Sequence, residues 1–240
     1  MRGRNKGVCR NWMHGGVLAL CLAALASACT PTQQVKVVKS DINCGFLGSD
    51  CNRLTAGAEG QAALRYVNPS ANWKQYNKVT IDPVTFWGSD STQISAADQQ
   101  TLVNYFEQAL REELGKKFQI VDQAGPGVMR VQVAITDATA ATPGLRTISV
   151  IVPQARALNT LKYAATGTYS FIGSAQAEAK ITDAATGQLL AEAVDRRVGG
   201  GSIEAAAQWQ WGDAENAMHA WAVQMADRLS SWTSGAATPS

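Results

Sequence analysis

Two segments of the chain repeat their apolar residues every three or four positions, which is the period of an amphipathic helix. The first follows Ser95, a residue suited to capping a helix N-terminus, and has Asp98 three positions later. It ends at Gly115, and its apolar face comprises Leu102, Phe106, Leu110 and Leu114. The second runs from Asp213 to Trp232, with an apolar face of Ala214, Met218, Trp221, Met225, Leu229 and Trp232. Each segment predicts one helix packed against a core.

Other segments alternate apolar and polar residues, which is typical of a strand with one buried face. Residues 129–137 read MRVQVAITD and alternate throughout. Residues 171–182 alternate as well, and DAATG follows them. DAATG favours a hairpin because its glycine can adopt a left-handed conformation, with residues 188–198 as the partner strand. Pro83 interrupts a further pattern and favours an edge strand or a bulge there. These shorter patterns predict strands at 79–86, 118–121 and 147–152.

Together the helix and strand patterns predict an α+β domain. We expect a single mixed, largely antiparallel β-sheet with the two amphipathic helices packed on one face. The strand at 171–182 places mainly alanine on its inward side, which suggests that a helix packs closely over it. The predicted organisation is a lipoprotein signal peptide at 1–28, a lipidated tether with a disulfide loop at 29–58, a globular α+β domain at 59–232 and a disordered tail at 233–240.

The N-terminus combines a basic segment with a short apolar run, which is the arrangement of a secretory signal peptide. The run from Val17 to Ala28 has 12 residues, whereas a membrane-spanning helix, the alternative interpretation, needs about 20. Its small final residues are followed directly by Cys29, which is typical of a bacterial lipoprotein lipidated on that thiol. Thr30 follows in place of an aspartate, which favours the outer membrane. We expect Cys29 to carry acyl chains such as palmitate and the domain to face the periplasm.

Removal of this signal changes the charge of the chain. The precursor has 21 basic and 19 acidic residues. The signal contains four basic residues and no acidic one, so 17 basic residues remain against 19 acidic ones. A mildly acidic chain without a basic cluster gives no electrostatic footprint for nucleic acid.

The cysteines divide in the same way. Cys9 and Cys21 leave with the signal, and Cys29 takes the lipid. The remaining pair, Cys44 and Cys51, lies in CGFLGSDC, where two glycines allow a tight return. A structural disulfide is the favoured interpretation in an oxidising compartment, and a free thiol pair or part of a metal site are the alternatives.

The sequence offers few candidates for catalysis. His219 is the one histidine outside the signal, and no G-x-S-x-G elbow marks a nucleophile for it. Asp82 and Asp90 flank the aromatic pair Phe86-Trp87, which would suit a glycosidase, although Asp82 also fits a turn before Pro83. Zinc, P-loop and dinucleotide motifs are absent from the sequence. We therefore predict a protein that is not an enzyme, with no catalytic, cofactor-binding or metal-binding residues.

Tryptophans concentrate near the C-terminus. Trp221 and Trp232 fit the buried face of the last predicted helix. Trp209 and Trp211 lie just before that helix, in AAAQWQWG. Because tryptophan is enriched at binding hot spots, these two form a possible interaction surface, with burial in the core as the alternative.

Several segments resemble the bacterial lipoprotein family known as domain of unknown function 3313. The resemblance rests on the lipoprotein signal, on LRYVNPSANWKQYNKVTIDPVTFW, on REELGKKFQIVDQAGPGVMRVQVAITD and on SAQAEAKITDAATGQLLAEAVDRRVGG. It implies a secreted, lipid-anchored protein and no known activity. The order of strands and helices is also similar to that of small periplasmic domains in envelope assembly.

The sequence thus favours a non-enzymatic, lipid-anchored envelope protein that docks or supports another envelope component. It would contact the membrane through its lipid and an envelope protein through its domain. The alternative is a binding module for an apolar or glycan ligand, using the C-terminal tryptophans.

Overall fold

The structure is a computed structural model that describes residues 32–42, 44–88, 94–141, 173–199 and 210–239. Its strands are β1 (Thr32–Val35), β2 (Thr55–Ala56), β3 (Leu64–Val67), β4 (Lys78–Ile81), β5 (Thr85–Phe86), β6 (Gln119–Ile120), β7 (Val128–Thr139), β8 (Ser174–Asp183) and β9 (Leu189–Gly199). Its helices are α1 (Ala96–Gly115) and α2 (Gly212–Ser234). The signal peptide, Cys29 and the strand predicted at 147–152 lie outside the described residues.

The strands form one mixed, largely antiparallel sheet in the order β2-β3-β9-β8-β7-β4-β6. The central strands β7, β8 and β9 are long and antiparallel to their neighbours in that trio. β4 and β5 run parallel to β7, and β6 runs parallel to β4. Pro83 falls between β4 and β5, so the chain leaves the ladder there and rejoins β7 further along. The predicted fold class is confirmed.

Both predicted helices form and share one core with the sheet. The hydroxyl of Ser95 accepts the backbone N–H of Asp98 at 3.1 Å and so caps α1. α1 and α2 pack against each other and over the sheet face that carries Val131, Val133 and Ile135. The largest side chains of this core that are fully buried include Phe106, Leu110, Met129, Met218 and Leu229. In the described residues, no helix is both long enough and apolar enough to cross a bilayer.

The hairpin between β8 and β9 forms where DAATG predicts it. Gly187 has a φ of 74°, which a residue with a side chain adopts only with strain. The carboxylate of Asp183 accepts the backbone N–H groups of Ala185 and Thr186 and the hydroxyl of Tyr76. These bonds hold the turn against the core from both sides.

The prediction of a tether over residues 29–58 is wrong for the part that the structure describes. β1 pairs with β9, from Thr32 opposite Gly199 to Val35 opposite Arg196. Residues 44–54, here called the cap segment, carry the confirmed disulfide Cys44–Cys51. The cap segment and its neighbours cover the sheet face opposite the helices, in a second cluster that includes Val37, Leu47, Leu54, Leu64 and Val194. Its apolar residues are few and irregularly spaced, so the sequence has no periodic pattern that would predict their burial.

The predicted tail at 233–240 also begins too early. α2 continues through Ser234 and ends at Gly235, whose φ of 75° gives a left-handed C-cap. Ala237 then packs against the main core.

Candidate functional site

Four alanines form a patch of small side chains on the helix-facing side of the sheet. We call the patch the alanine floor, and it consists of Ala177, Ala179, Ala191 and Ala193. In the sheet register, Ala179 lies opposite Ala193, and their neighbours on the outer strands are Val133 and Arg65. One transverse row of the sheet therefore reads valine, alanine, alanine, arginine. Because alanine ends at Cβ, the two central strands leave space beneath the helix.

Helix α2 covers this floor without filling the space. Trp221, Met225 and Leu229 succeed one another at four-residue intervals, and Trp232 follows, all lining the same cleft. Phe106 of α1 contributes a further wall. The cleft has a volume of about 120 Å³. That is close to the roughly 150 Å³ of an apolar protein cavity that binds benzene. The cleft can therefore hold one narrow apolar group.

Two arginines reach the mouth of the cleft from opposite sides. Arg65 projects from β3 and donates a hydrogen bond to the amide oxygen of Gln61 at 2.9 Å. Arg228 projects from α2 and donates to the carbonyl oxygen of Gly60 at 2.8 Å. Gln224, one turn earlier on α2, donates to the same carbonyl at 2.7 Å. Residues 60–61 thus bring both guanidinium groups to one place, and both of these acceptors are uncharged.

The electrostatics of the mouth follow from this arrangement. Partial burial, and then the positive charge of Arg228, lower the pKa of Arg65. Because a neighbouring cation lowers the pKa of Arg65, the two positive charges repel each other at this site. An anion placed between them would relieve that repulsion.

Asp195 lines one end of the cleft, but its negative charge is already compensated. Its carboxylate accepts the indole N–H of Trp221 at 2.7 Å and the backbone N–H of Ala63 at 2.9 Å. It also accepts a hydrogen bond from the side-chain amide of Gln34, and it lies 3.4 Å from the guanidinium of Arg197. Asp195 therefore holds the cleft wall together and leaves the mouth positive.

A second group of charges lies beneath the cap segment on the other face of the sheet. Glu178 is 0% exposed, and Lys180 lies 3.5 Å from the carboxylate of Glu192 and 3.1 Å from that of Asp50. Burial, followed by the charge of Glu192, raises the pKa of Glu178 to about 7, although the nearby backbone N–H of Leu47 opposes this. We call Asp50, Glu178, Lys180 and Glu192 the acidic cluster. Within this cluster, Glu178 keeps its proton until the pH approaches neutrality.

The structure places the sequence-predicted interaction residues differently. Trp211 is 3% exposed and belongs to the main core, so its assignment to an exposed interaction surface is wrong. It lies at the N-cap of α2, where the chain turns into the helix against the sheet and carries this side chain inward. Trp209, Asp90 and Cys29 lie outside the described residues.

The residues considered for catalysis do not meet at the cleft. Asp82 binds Arg130 through two of its nitrogens, at 2.7 to 3.0 Å, and so links the end of β4 to β7. His219 has a side chain that is 53% exposed, with Nε2 3.5 Å from Glu113 of α1. Neither of them lines the cleft. Within the described residues, no group of three or more His, Cys, Asp or Glu side chains is arranged to hold a metal ion.

Sequence reasoning identified part of this site and missed its polar half. The alternation of alanine in β8 is visible in the sequence, and α2 does pack over that strand. The meeting of Arg65 and Arg228 is not visible, because they are 163 positions apart and come together only when β3 pairs with β9 and α2 packs over the sheet.

Comparisons with known proteins concern the family and the fold. The sequence matches the family described as "Protein of unknown function (DUF3313)" over residues 44–225. It is 28% identical over 138 residues to the uncharacterized lipoprotein YdcL of Escherichia coli strain K12 and to that of E. coli O157:H7. The match covers 56% of this chain and 60% of each relative, so this chain spans less than two thirds of their length.

Among solved structures, a PelC dodecamer from Paraburkholderia phytofirmans aligns with a TM-score of 0.36 and 9% identity. The alignment covers 67% of this chain and 95% of that chain. A TM-score of this size supports no argument about the fold or the function of the present chain.

Proposed function

The chain belongs to the DUF3313 family of proteins of unknown function, and we propose that it is a non-enzymatic, lipid-anchored envelope protein that binds an apolar ligand. The lipid on Cys29 attaches it to the outer membrane, and the folded domain faces the periplasm. The observation that carries the proposal is the cleft between the alanine floor and α2.

Support for the anchor comes from the sequence and from the relatives. A basic segment, a short apolar run and small residues precede Cys29. The YdcL relatives are named lipoproteins. A diacylglyceryl group with a further acyl chain would hold the protein firmly, because stable attachment requires more than one chain.

Support for ligand binding comes from the packing of the core. Interiors normally close around their side chains and leave few voids larger than a water molecule. Here α2 carries large residues over the floor, yet four alanines in adjacent strands keep the space open. The lining of this space, apolar with a few polar groups at its mouth, is that of a small-molecule site.

The test uses a medium-chain alcohol with a terminal bromine atom, because bromine quenches tryptophan fluorescence on contact. Trp221 and Trp232 line the cleft, so a bound probe quenches them. Trp87 is 51% exposed and is replaced by phenylalanine throughout to remove its background. We expect saturable quenching of the full chain, held in this and every later titration in a non-ionic amphipol, beyond the quenching by probe dissolved in the polymer that the Ala179→Leu variant measures.

A matched pair of substitutions distinguishes the cleft from the general surface. Ala179→Leu fills the cleft and abolishes saturable quenching. Ala56→Leu, the same change at an exposed position of the same sheet, leaves it intact. Quenching that does not saturate, or that survives Ala179→Leu in a chain that still melts cooperatively, would refute binding in the cleft.

Docking to an envelope protein stays a prediction. No interface for a protein partner is proposed on the described residues.

A further inference from the structure

We propose that the cleft binds a single-chain amphiphile with an anionic head group, whose charge lies between Arg65 and Arg228. This inference rests on the proposed function and adds the chemical class of the ligand. The chain of the amphiphile lies on the alanine floor, and its head group lies at the mouth.

The sheet register places the charge and the apolar floor in line. Arg65 lies directly opposite Ala193, which lies opposite Ala179. The spacing between neighbouring strands is about 4.8 Å, so the floor extends about 10 Å from the strand that bears Arg65. A chain laid across the strands from Arg65 toward Val133 keeps its head group at the arginine and its methylene groups on alanine.

The helix supplies the second charge in the same geometry. Arg228 is on the flank of α2 next to Met225 and Leu229, which line the cleft roof. Its bond to the carbonyl of Gly60 turns the guanidinium toward the turn that also binds Arg65. Two guanidinium groups on one mouth match a carboxylate or a phosphate monoester, because each can donate paired hydrogen bonds to such oxygens.

The acidic residues near the cleft do not oppose an anion. Asp195 is neutralised by Arg197 and holds hydrogen bonds from Trp221 and Ala63. Glu192 alternates with Ala191 and Ala193, so its side chain points to the opposite face, where it pairs with Lys180. Among the described residues that line the cleft, the charge at the mouth is therefore positive.

The volume of the cleft selects one chain. The cleft volume of about 120 Å³ is slightly below the roughly 150 Å³ of a cavity that binds one benzene molecule, and it has no room for two acyl chains side by side. A diacyl lipid would leave one chain in water, which costs about 0.8 kcal/mol for each exposed CH₂ group.

The experiment compares four bromine-terminated amphiphiles of one chain length: the carboxylic acid, the alkyl phosphate, the alcohol and the ammonium compound. Their dissociation constants come from tryptophan quenching of the full chain in amphipol. We expect at least one anion to bind about tenfold more tightly than the alcohol, as one charge-assisted contact allows. The ammonium compound should bind more weakly than the alcohol, and added salt should reduce the anion's advantage. The tighter anion identifies the head group as carboxylate or phosphate.

The role of the two arginines is tested by the ratio of the affinity for the acid to the affinity for the alcohol, measured for each variant. In Arg65→Gln/Arg228→Gln, the ratio of acid to alcohol affinity falls to about one, whereas the paired lysine substitutions retain part of it. Arg111→Gln, at an exposed arginine paired with Glu107 on α1, keeps the full ratio. An unchanged ratio in the glutamine variant would overturn the assignment.

The two proposals fail in different ways. If the alcohol and the anions bind the wild-type cleft equally well, the head-group inference is wrong and the apolar site stands. If none of the four gives saturable quenching that Ala179→Leu removes, the cleft does not bind such ligands and both proposals fall.

Discussion

Glu178 is a buried residue whose ionisation near neutral pH should affect the stability of the fold. Its pKa is raised from an ordinary value of 4.5 to about 7 by burial and by Glu192. The unfolded chain therefore releases this proton at a lower pH than the folded chain does. Stability gained by the protonated form is complete below pH 4.5, falls as the pH rises toward 7 and is lost above it.

Glu178→Gln removes this titration while keeping the shape of the side chain. The variant should be more stable than the wild type at pH 8, by at most about 3 kcal/mol, and the difference should vanish near pH 4. Urea unfolding at a series of pH values measures it. Glu59→Gln, at an exposed glutamate, serves as the control. A constant difference across the pH series would show that Glu178 does not ionise in this range.

At the scale of single elements, the hydroxyl of Ser95 closes the start of α1. Ser95→Ala leaves the N–H of Asp98 without that acceptor and should lower the free energy of unfolding by about 1 kcal/mol. Urea unfolding at neutral pH measures the loss. Ser70→Ala, an exposed loop serine, should have little effect. Equal values for the two variants would mean that water caps the helix as well as Ser95 does.

The cap segment depends on its disulfide. Replacing Cys44 and Cys51 by serine should lower stability by about 2 to 3 kcal/mol at most, because the unfolded chain loses its short ring. It should also weaken the pH dependence of Glu178, since a looser cap segment admits water to the acidic cluster. Reduction of the wild type should reproduce both changes and leave the serine variant unaltered. A full pH dependence in that variant would separate the acidic cluster from the cap segment.

Elements with a regular period were predictable, and those without one were not. The alternation of β7 and β8 and the apolar stripes of α1 and α2 appear in the sequence because each of these elements buries one face, and β9 was predicted as the partner of β8 across the turn. β1 is a four-residue strand, TQQV, whose place in the sheet comes from pairing with β9. Such a strand is held by its partner's backbone, and its own side chains carry no pattern to reveal it.

At the scale of the whole molecule, the proposed lipid on Cys29 would determine where the domain is located, and this can be tested directly. The wild-type chain should incorporate labelled palmitate in growing cells, and Cys29→Ala should not. Cys21→Ala, at a cysteine that leaves with the signal, should be labelled like the wild type. Labelling of the Cys29 variant would place the lipid elsewhere.

The candidate site, like the secondary-structure elements, has one part that the sequence predicts and one part that it does not. Part of the alanine floor could be predicted from the alternating alanines of one strand, because this pattern lies within a short stretch of sequence. Its charged mouth was hidden, since Arg65 and Arg228 belong to elements that meet only when β3 joins β9 and α2 crosses them. The burial of Trp211 was equally hard to predict from the sequence. Tryptophan occurs both in cores and at binding hot spots, and the direction in which the chain turns at Trp211 decides between the two.

The pairing of β1 with β9 limits the distance between the folded domain and the proposed lipid on Cys29. Thr32 is already in the sheet, and it lies three positions along the chain from Cys29. Three extended residues span at most about 11 Å. If Cys29 carries the proposed lipid, the folded domain lies at the membrane surface, and the proposed amphiphile would meet the cleft there.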